Sequence, residues 1–404
     1  MRQLARFLAG RRAWPPLVCL ALLACAAAPK RPEPPAAARF ELRPISFDAL
    51  PGWGVDDPRE ALDAFHRSCA TLAQRDAAIP MAADPLFGQV GDWSAVCAEA
   101  TAAGSSADQV RAFVEDRFSP YLVLDGSNPE GLFTGYYEPL LNGSRRFGGP
   151  YTVPLYRPPA DLLRIDLGRF NPELSGYAIY GRIADREFVP YYSRRDIDSG
   201  GLAGRGLELL WVDDPIDKFF LQIQGSGQVR LDDGSLIRVG YAGQNGQPYH
   251  AIGRDLIEMG VLTREQVTMP AIRAWLEQHP NAALDIMERN RSYIFFEERP
   301  ELAPDEGPLG AEGVSLTAGR SLAVDPRFIP FGVPVWLDTT APFPEGEGPL
   351  RRLMVAQDTG GAIKGVVRGD VFWGAGERAE AIAGSMKSRG RYAILLPKAL
   401  TPVS

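Results

Sequence analysis

Histidine is scarce in this sequence, and its scarcity limits the metal chemistry available. The three histidines, His66, His250 and His279, lie far apart along the chain. Common zinc sites combine several histidine, cysteine or carboxylate ligands at short spacings. The sequence therefore predicts no metal site. Walker loops and dinucleotide-binding fingerprints are also missing, so we expect no cofactor.

An excess of positive charge is missing as well. The 404 residues include 43 Lys and Arg against 50 Asp and Glu, a formal net charge of −7. No basic tract with interleaved aromatic residues occurs, so nucleic acid is not an expected partner. The Gly-x-Ser-x-Gly elbow of many serine hydrolases is absent too. Carboxylates remain as the candidates for catalysis.

Long hydrophobic runs are lacking. The apolar run at residues 17–23 follows several arginines and is too short to span a bilayer, which is typical of a secretory signal. Cys25 comes directly after the residues LLA, a pattern similar to the cleavage box of bacterial lipoproteins. We expect residues 1–25 to be a lipoprotein signal peptide with Cys25 acylated; ordinary secretion that discards Cys25 is the alternative. Residues 26–40, rich in Pro and Ala, form an expected extended tether.

Few cysteines remain once the signal region is set aside. Cys69 and Cys97 lie on the apolar faces of two neighbouring helix-like stretches. In an oxidising compartment a disulfide between these helices is favoured. The alternative is a pair of buried thiols.

The 42 glycines and 35 prolines divide much of the chain into short segments. Residues 57–118 have helical periodicity, and helical patterns return at 252–289. Elsewhere, short apolar or alternating runs such as Lys218–Ile223 predict strands. The expected fold class is mainly β with some α, with a barrel-type sheet and an N-terminal helical region.

Two aspartates near the C-terminus have the strongest chemical signal. Asp358 ends the apolar run LMVAQ and precedes a glycine-rich turn, whose backbone N–H groups we expect to keep its carboxylate ionised. Asp370 precedes Val371, Phe372 and Trp373, and burial among them is expected to raise its pKa, as a general acid requires. The alternative is that both aspartates close turns at strand ends.

Several segments, taken in order, resemble the membrane-bound lytic murein transglycosylase A family. They are residues 134–139 (TGYYEP), 224–227 (QGSG), 239–246 (VGYAGQNG) and 292–296 (SYIFF), together with a C-terminal module that contains Asp325, Asp358 and Asp370. That module is similar to the family's three-aspartate domain.

The resemblance implies a six-stranded double-psi β-barrel interrupted by a second domain. The expected divisions are a helical region leading into the barrel (41–138), an inserted β-rich domain that forms the substrate groove (139–290) and the catalytic barrel (291–398).

The resemblance also implies an activity. Family members are lyases, lytic exotransglycosylases that cleave the β-1,4 bond between N-acetylmuramic acid and N-acetylglucosamine of peptidoglycan and leave a 1,6-anhydro ring. Carried over by position, Asp370 is the acid/base and Asp358 its catalytic neighbour. The expected substrate-binding residues are Tyr136, Tyr137, Gln224, Ser226 and Asp325. The partners implied are peptidoglycan glycan strands and, through the lipid on Cys25, the outer membrane, with the protein a periplasmic monomer.

Two other functions compete with this interpretation. Asp358-Thr359-Gly360 is the triplet of aspartic peptidases, which need two such aspartates sharing a proton, whereas Asp370 lies in Gly-Asp-Val. A wall-binding lipoprotein that holds glycans without cleaving them is the second alternative.

Overall fold

The computed structural model describes residues 39–400 except 172–173, 175–176, 301 and 303–305. The expected signal peptide, with Cys25, and residues 26–38 of the expected tether lie outside the described residues. Within the described part of the chain, no helix has both the length and the hydrophobicity to cross a membrane.

The described residues form helices and strands in an interleaved order. The helices are α1 (Arg59–Leu72), α2 (Val90–Ala100), α3 (Ala107–Arg117), α4 (Arg194–Asp196), α5 (Pro215–Gln224), α6 (Gly253–Glu258), α7 (Met269–Gln278), α8 (Pro280–Arg289) and α9 (Glu377–Ser385). The strands are β1 (Phe40–Pro44), β2 (Phe118–Asp125), β3 (Gly131–Glu138), β4 (Leu140–Ser144), β5 (Val153–Tyr156), β6 (Leu163–Asp166), β7 (Ala178–Ala184), β8 (Glu187–Val189), β9 (Glu208–Val212), β10 (Ser226–Leu231), β11 (Leu236–Gln244), β12 (Ile294–Glu298), β13 (Ser321–Ala323), β14 (Pro334–Phe343), β15 (Gly346–Asp358), β16 (Arg368–Ala375) and β17 (Lys387–Pro397).

Strands from both ends of the chain close into a barrel. The order is β17, β14, β15, β13, β16 and β3, and β3 pairs again with β17 to complete the ring. The pairs β13–β15 and β16–β3 are parallel, whereas the other pairs of the ring are antiparallel. This closed ring confirms the six-stranded barrel implied by the resemblance, and β1 and β2 extend it along β17.

The N-terminal helices cover the barrel. In α1 the residues Leu62, Phe65 and Leu72 are buried at helical spacing, and the helix packs on β15. They join an apolar core that includes Trp93 and Trp336. Burial of this face, more than helix propensity, stabilises such short helices.

A disulfide joins the first two helices, as the sequence predicts. It links Cys69 in α1 to Cys97 in α2 across 28 residues of sequence.

The chain between β3 and β13 forms two further sheets and a group of helices. Its six-stranded sheet has the order β12, β11, β10, β4, β9 and β5, and β6, β7 and β8 form a smaller sheet. The larger sheet has its own apolar core, which includes Leu210, Val229 and Phe296. Helices α5 to α8 pack around a further core with Phe219 and Leu276. The helical pattern predicted at 252–289 corresponds to α6, α7 and α8.

One predicted strand is a helix. Residues Lys218–Ile223 lie inside α5, whose start and end signals determine its conformation. Asp214 caps the N-terminus by accepting from the Ile216 N–H, Pro215 occupies the first turn, and Gly225 ends the helix in the left-handed region at φ 84°. The strand prediction was wrong because the short apolar run is equally compatible with a buried helix.

The disulfide gives a testable expectation for stability. Replacing both Cys69 and Cys97 by Ser frees a loop of 28 residues in the unfolded state. We expect the free energy of unfolding to fall by about 3 to 4 kcal/mol, because chain entropy favours the unlinked unfolded chain. Urea denaturation of the variant measures the loss, and wild type in reductant should show the same loss. An unchanged midpoint would mean that the helices need no such link.

Candidate active site

The barrel strands bring the two candidate aspartates to one end of the barrel. Ala323 in β13 pairs with Asp358 of β15 on one side and with Asp370 of β16 on the other. The parallel register of β16 with β3 places Asp370 opposite Thr134. Because this register is defined by a sheet, the three side chains hold fixed positions relative to one another.

Asp370 is a partly exposed carboxyl group held by a hydroxyl. Thr134 Oγ1 donates a hydrogen bond of 2.5 Å to Asp370 Oδ1 and accepts one of 2.8 Å from Arg368 Nη2. Burial and, to a smaller extent, the Asp358 charge raise the pKa of Asp370 to about 6, although the Arg368 charge and the Thr134 bond act to lower it. Asp370 can therefore give or take a proton near neutral pH.

Asp358 is held by three donors. Tyr136 Oη donates 2.8 Å to Oδ2, and the backbone N–H groups of Ala311 and Thr359 each donate 2.9 Å to Oδ1. Burial still raises the pKa of Asp358, because it outweighs the Tyr136, Ala311 and Thr359 bonds. Thr359 is thus one of the expected N–H donors, while burial acts against the ionised state that the sequence analysis expects.

The Asp325 side chain accepts hydrogen bonds that hold the loops around the site. Its side chain is 1 % exposed and accepts from Arg327 Nε at 2.9 Å, Arg327 Nη2 at 2.5 Å and the Gly365 N–H at 2.9 Å. Although burial acts to raise the pKa of Asp325, the Arg327 and Gly365 bonds lower it. The carboxylate ties β13 to the loop that joins Asp358 and Asp370. Its 1 % exposure leaves little surface for a ligand in this conformation, and its expected substrate-binding role stays a prediction.

Tyr136 and Tyr137 point to opposite faces of β3, as adjacent strand residues do. Tyr136 is 9 % exposed and its ring lies 5.3 Å from that of Phe372. Tyr137 is 3 % exposed, and its Oη donates 2.9 Å to Glu380 in α9. Both rings are therefore packed, and the substrate-binding role that the resemblance implies for them stays a prediction.

Gln224 and Ser226 approach the site from the inserted segment. Gln224 ends α5 and accepts at Oε1 from the Tyr137 N–H at 3.1 Å, while Ser226 begins β10 after the turn at Gly225. Both side chains are partly exposed. They therefore lie beside the end of β3, where the barrel and the second sheet meet.

The structure adds residues that the sequence analysis did not single out. Thr134 and Arg368 surround Asp370, and the Ala311 N–H reaches Asp358. Tyr249 is 41 % exposed, and a Cβ at Gly361 would lie 4.0 Å from its Cβ. Partial burial and the Asp370 charge raise the Tyr249 pKa. Thr134 was quoted within the TGYYEP segment, but no local signal marks Ala311 or Tyr249.

Two alternative kinds of site, a metal centre and a pair of aspartates that share a proton, have little support in the described residues. Across them, no group of three or more His, Cys, Asp or Glu side chains is placed to hold a metal ion. Asp370 and Asp358 use different hydroxyls as partners, Thr134 and Tyr136 respectively. The site thus combines one carboxyl group that titrates near neutrality with a second that has its own set of donors.

Two family models match the chain. The MltA specific insert domain matches residues 132–297, and the 3D domain matches residues 320–396. The second match contains Asp325, Asp358 and Asp370.

Known proteins match over most of their length. Membrane-bound lytic murein transglycosylase A of Escherichia coli (strain K12) is 33% identical over 303 residues, 72% of this chain and 72% of that protein. The crystal structure of a membrane-bound lytic murein transglycosylase from Agrobacterium tumefaciens has a TM-score of 0.77 at 34% identity, covering 89% of this chain and 98% of that one. The structure of E. coli MltA with bound chitohexaose has a TM-score of 0.63 at 26% identity, covering 89% and 95%. On this sequence identity, coverage and fold, the chain belongs to the membrane-bound lytic murein transglycosylase A family.

Proposed function

We propose that this protein is a peptidoglycan lytic transglycosylase, a lyase that cleaves the β-1,4 bond between N-acetylmuramic acid and N-acetylglucosamine with Asp370 as its single acid/base. The observation that carries the proposal is a carboxyl group with a pKa of about 6, held by Thr134 at the end of the barrel. Family membership supports the reaction class. The chitohexaose bound by E. coli MltA supports a β-1,4-linked amino-sugar chain as substrate.

The proposed reaction has two proton transfers. Protonated Asp370 gives its proton to the glycosidic oxygen, and the bond between that oxygen and C1 of N-acetylmuramic acid breaks. The C6 hydroxyl of the same sugar then attacks C1, and its proton returns to Asp370. The products are a free 4-hydroxyl on N-acetylglucosamine and a 1,6-anhydro ring on N-acetylmuramic acid, and no water is consumed.

A single acid/base is sufficient because the nucleophile belongs to the substrate. Hydrolases that retain or invert configuration need a second carboxylate as nucleophile or water-activating base. An intramolecular hydroxyl is already close to C1, so much of the entropic cost of bringing reactants together is removed. The enzyme then has only to hold the sugar and move one proton.

Asp358 supports this reaction through its charge. In its ionised form it raises the pKa of Asp370, which keeps the acid protonated at higher pH. Its negative charge also stabilises the positive charge that develops at C1 in the transition state. Separate partners for Asp358 and Asp370 argue against the aspartic peptidase alternative, in which two aspartates share a proton.

The glycan is proposed to lie between the barrel and the inserted domain. Gln224, Ser226 and Tyr249 approach from the inserted side with partly exposed side chains. The division into 41–138, 139–290 and 291–398 assigns this groove to the boundary between the second and third regions. A periplasmic monomer, anchored to the outer membrane by acylated Cys25, completes the proposal and agrees with the words "membrane-bound" in the relatives' names.

Product analysis tests the reaction and the residue together. The protein lacking residues 1–25 is incubated with purified peptidoglycan beside Asp370→Asn and the control Asp63→Asn, which replaces an exposed aspartate of α1. We expect mass spectrometry to find 1,6-anhydromuropeptides, reduced at least about 100-fold by Asp370→Asn and unchanged by the control. Reducing-end products would instead identify a hydrolase. Binding to sacculi without release would support the wall-binding alternative.

The pH dependence of kcat/KM should depend on Thr134. Activity is expected to fall as pH rises through about 6, since Asp370 loses its proton there. The Thr134 bond favours the charged carboxylate, so Thr134→Val should raise the Asp370 pKa and move this limb to higher pH. Initial rates of anhydromuropeptide release between pH 4 and 8 measure the shift. A limb that stays in place would exclude Asp370 as its origin.

Burial of Asp370 should also have a cost in stability. Its pKa rises from 3.8 to about 6, so the folded state binds the proton more tightly than the unfolded state. That contribution is fully present below about pH 4 and is lost as pH rises through about 6. We therefore expect Asp370→Asn to be more stable than wild type at pH 7.5 by about 1 to 3 kcal/mol, with no gain at pH 3.5. Urea denaturation at both pH values checks this, and an equal difference at both would contradict it.

A further inference from the structure

A surface turn at residues 310–313 supplies one of the donors to Asp358. The turn is closed by backbone bonds from Gly310 N–H to Val314 O and from Gly313 N–H to Gly310 O, both 2.9 Å. Between them, the exposed Ala311 directs its N–H to Asp358 Oδ1 at 2.9 Å. The position of a donor to Asp358 thus depends on a turn that is itself at the surface.

Glu312 anchors this turn to the body of the protein. Its backbone N–H donates 3.1 Å to Gln357 O of β15, and its Oε2 accepts 2.7 Å from Ser68 Oγ of α1. Ser68 is fully buried. The side chain of Glu312 therefore links the turn to the helix packed on the outside of the barrel.

The anchor is part of a buried chain of hydrogen bonds. Gln357 Nε2 donates to Ser68 Oγ at 2.9 Å and to Ala64 O at 2.8 Å, and its Oε1 accepts from Ser321 Oγ at 2.6 Å. Because the Gln357 amide donates to the Ser68 oxygen, the single Ser68 proton is directed to Glu312. Gln357 immediately precedes Asp358, so the chain of bonds runs beneath the proposed site.

Charge at this position is costly, which argues for a role beyond packing. Burial raises the pKa of Glu312 to about 7, against the lowering effects of the Ser68 bond and the Arg75 charge. Taking an ionisable group out of water costs free energy unless hydrogen bonds compensate for the lost hydration. The presence of an acidic side chain at this position is explained by the acceptor that it offers to Ser68.

We propose that Glu312 is a positioning residue: by holding the 310–313 turn on Ser68, it keeps the Ala311 N–H on Asp358 and so sets the negative charge that Asp358 presents to Asp370. The inference rests on the proposed acid/base function of Asp370.

The direction in which the Asp370 pKa shifts follows from the groups that surround Asp358 and Asp370. Asp358 faces Tyr136, and Asp370 faces Arg368 and Tyr249. Loss of the Ala311 bond removes a donor that favours ionised Asp358, so Asp358 protonates more readily. Less negative charge then lies beside Asp370, and the Asp370 pKa falls. The alkaline limb of kcat/KM moves to lower pH, with kcat reduced and KM unchanged.

Four variants of the soluble protein test this inference. Glu312→Ala and Ser68→Ala each break the anchor. We expect kcat at pH 6 to fall about threefold to tenfold. This is less than the complete loss of a hydrogen bond to a charged group would cause, because the Ala311 bond to Asp358 is only loosened. Glu312→Gln keeps an acceptor for Ser68 and should stay within about twofold of wild type. Glu347→Ala removes a comparable carboxylate bond, from Thr340 at 2.7 Å, at the other end of β15 and serves as the control.

Hydrogen exchange at Ala311 supplies a second, activity-independent readout. Mass spectrometry of the peptide that spans the turn should show faster exchange in Glu312→Ala and Ser68→Ala than in wild type, Glu312→Gln or the control. Slow exchange at Ala311 in both anchor variants would overturn the inference, and so would an alkaline limb that stays in place while kcat falls equally at all pH values. If Asp370→Asn retains activity, the proposed function fails, and the exchange data still decide whether Glu312 holds the turn. If Glu312→Ala does not fold, Ser68→Ala decides both readouts.

Discussion

Placing two carboxyl groups inside one end of a barrel is the constraint on which the rest of this structure depends. Each of these partly buried carboxylates needs donors, and the donors must come from elements with fixed relative positions. The pairing of Ala323 with both Asp358 and Asp370 determines the spacing of the two acids, and the β16–β3 register places Thr134 against the second. A slip of one residue along β3 would turn Thr134 to the opposite face and leave Asp370 without its hydroxyl donor.

Strand β3 connects the acid pair to the inserted domain through its alternating faces. Thr134 and Tyr136, two residues apart, lie on the same face and donate to Asp370 and Asp358 respectively. Tyr137 lies on the other face, where its hydroxyl reaches Glu380 and its backbone N–H reaches Gln224 of α5. In the proposed function, a glycan beside Gln224 is therefore positioned by the same strand that orients Asp370. This explains how chain segments far apart in sequence can form one site without a flexible connection between binding and proton transfer.

Local patterns in the sequence predict those features that depend on local geometry. Helical periodicity places Cys69 and Cys97 on facing stripes, and the structure joins them. The six-stranded barrel, by contrast, came from family resemblance, since short apolar runs do not specify which strands pair. The same limit explains the error at Lys218–Ile223, which is a helix because of its caps. Both rings of Tyr136 and Tyr137 are packed because Phe372 and Glu380 contact them on opposite faces of β3. Tyr136, one of the three donors to Asp358, lies 222 residues before it in the sequence, a relation that no local pattern contains.

The contrast between Asp325 and Asp370 shows how the barrel tunes an acid. Each aspartate has an arginine two residues away. Arg327 bonds Asp325 directly through Nε and Nη2, and the pKa of Asp325 is lowered despite its burial. Arg368 instead donates hydrogen bonds to Thr134 Oγ1, Leu132 O and Gly369 O. Its positive charge therefore attracts Asp370 from the far side of the Thr134 hydroxyl. The attraction is then strong enough to limit the effect of burial but too weak to reverse it, and the Asp370 pKa stays near 6. Because Arg368 does not bond the carboxylate directly, Asp370 keeps a pKa near neutrality, as the proposed acid/base role requires.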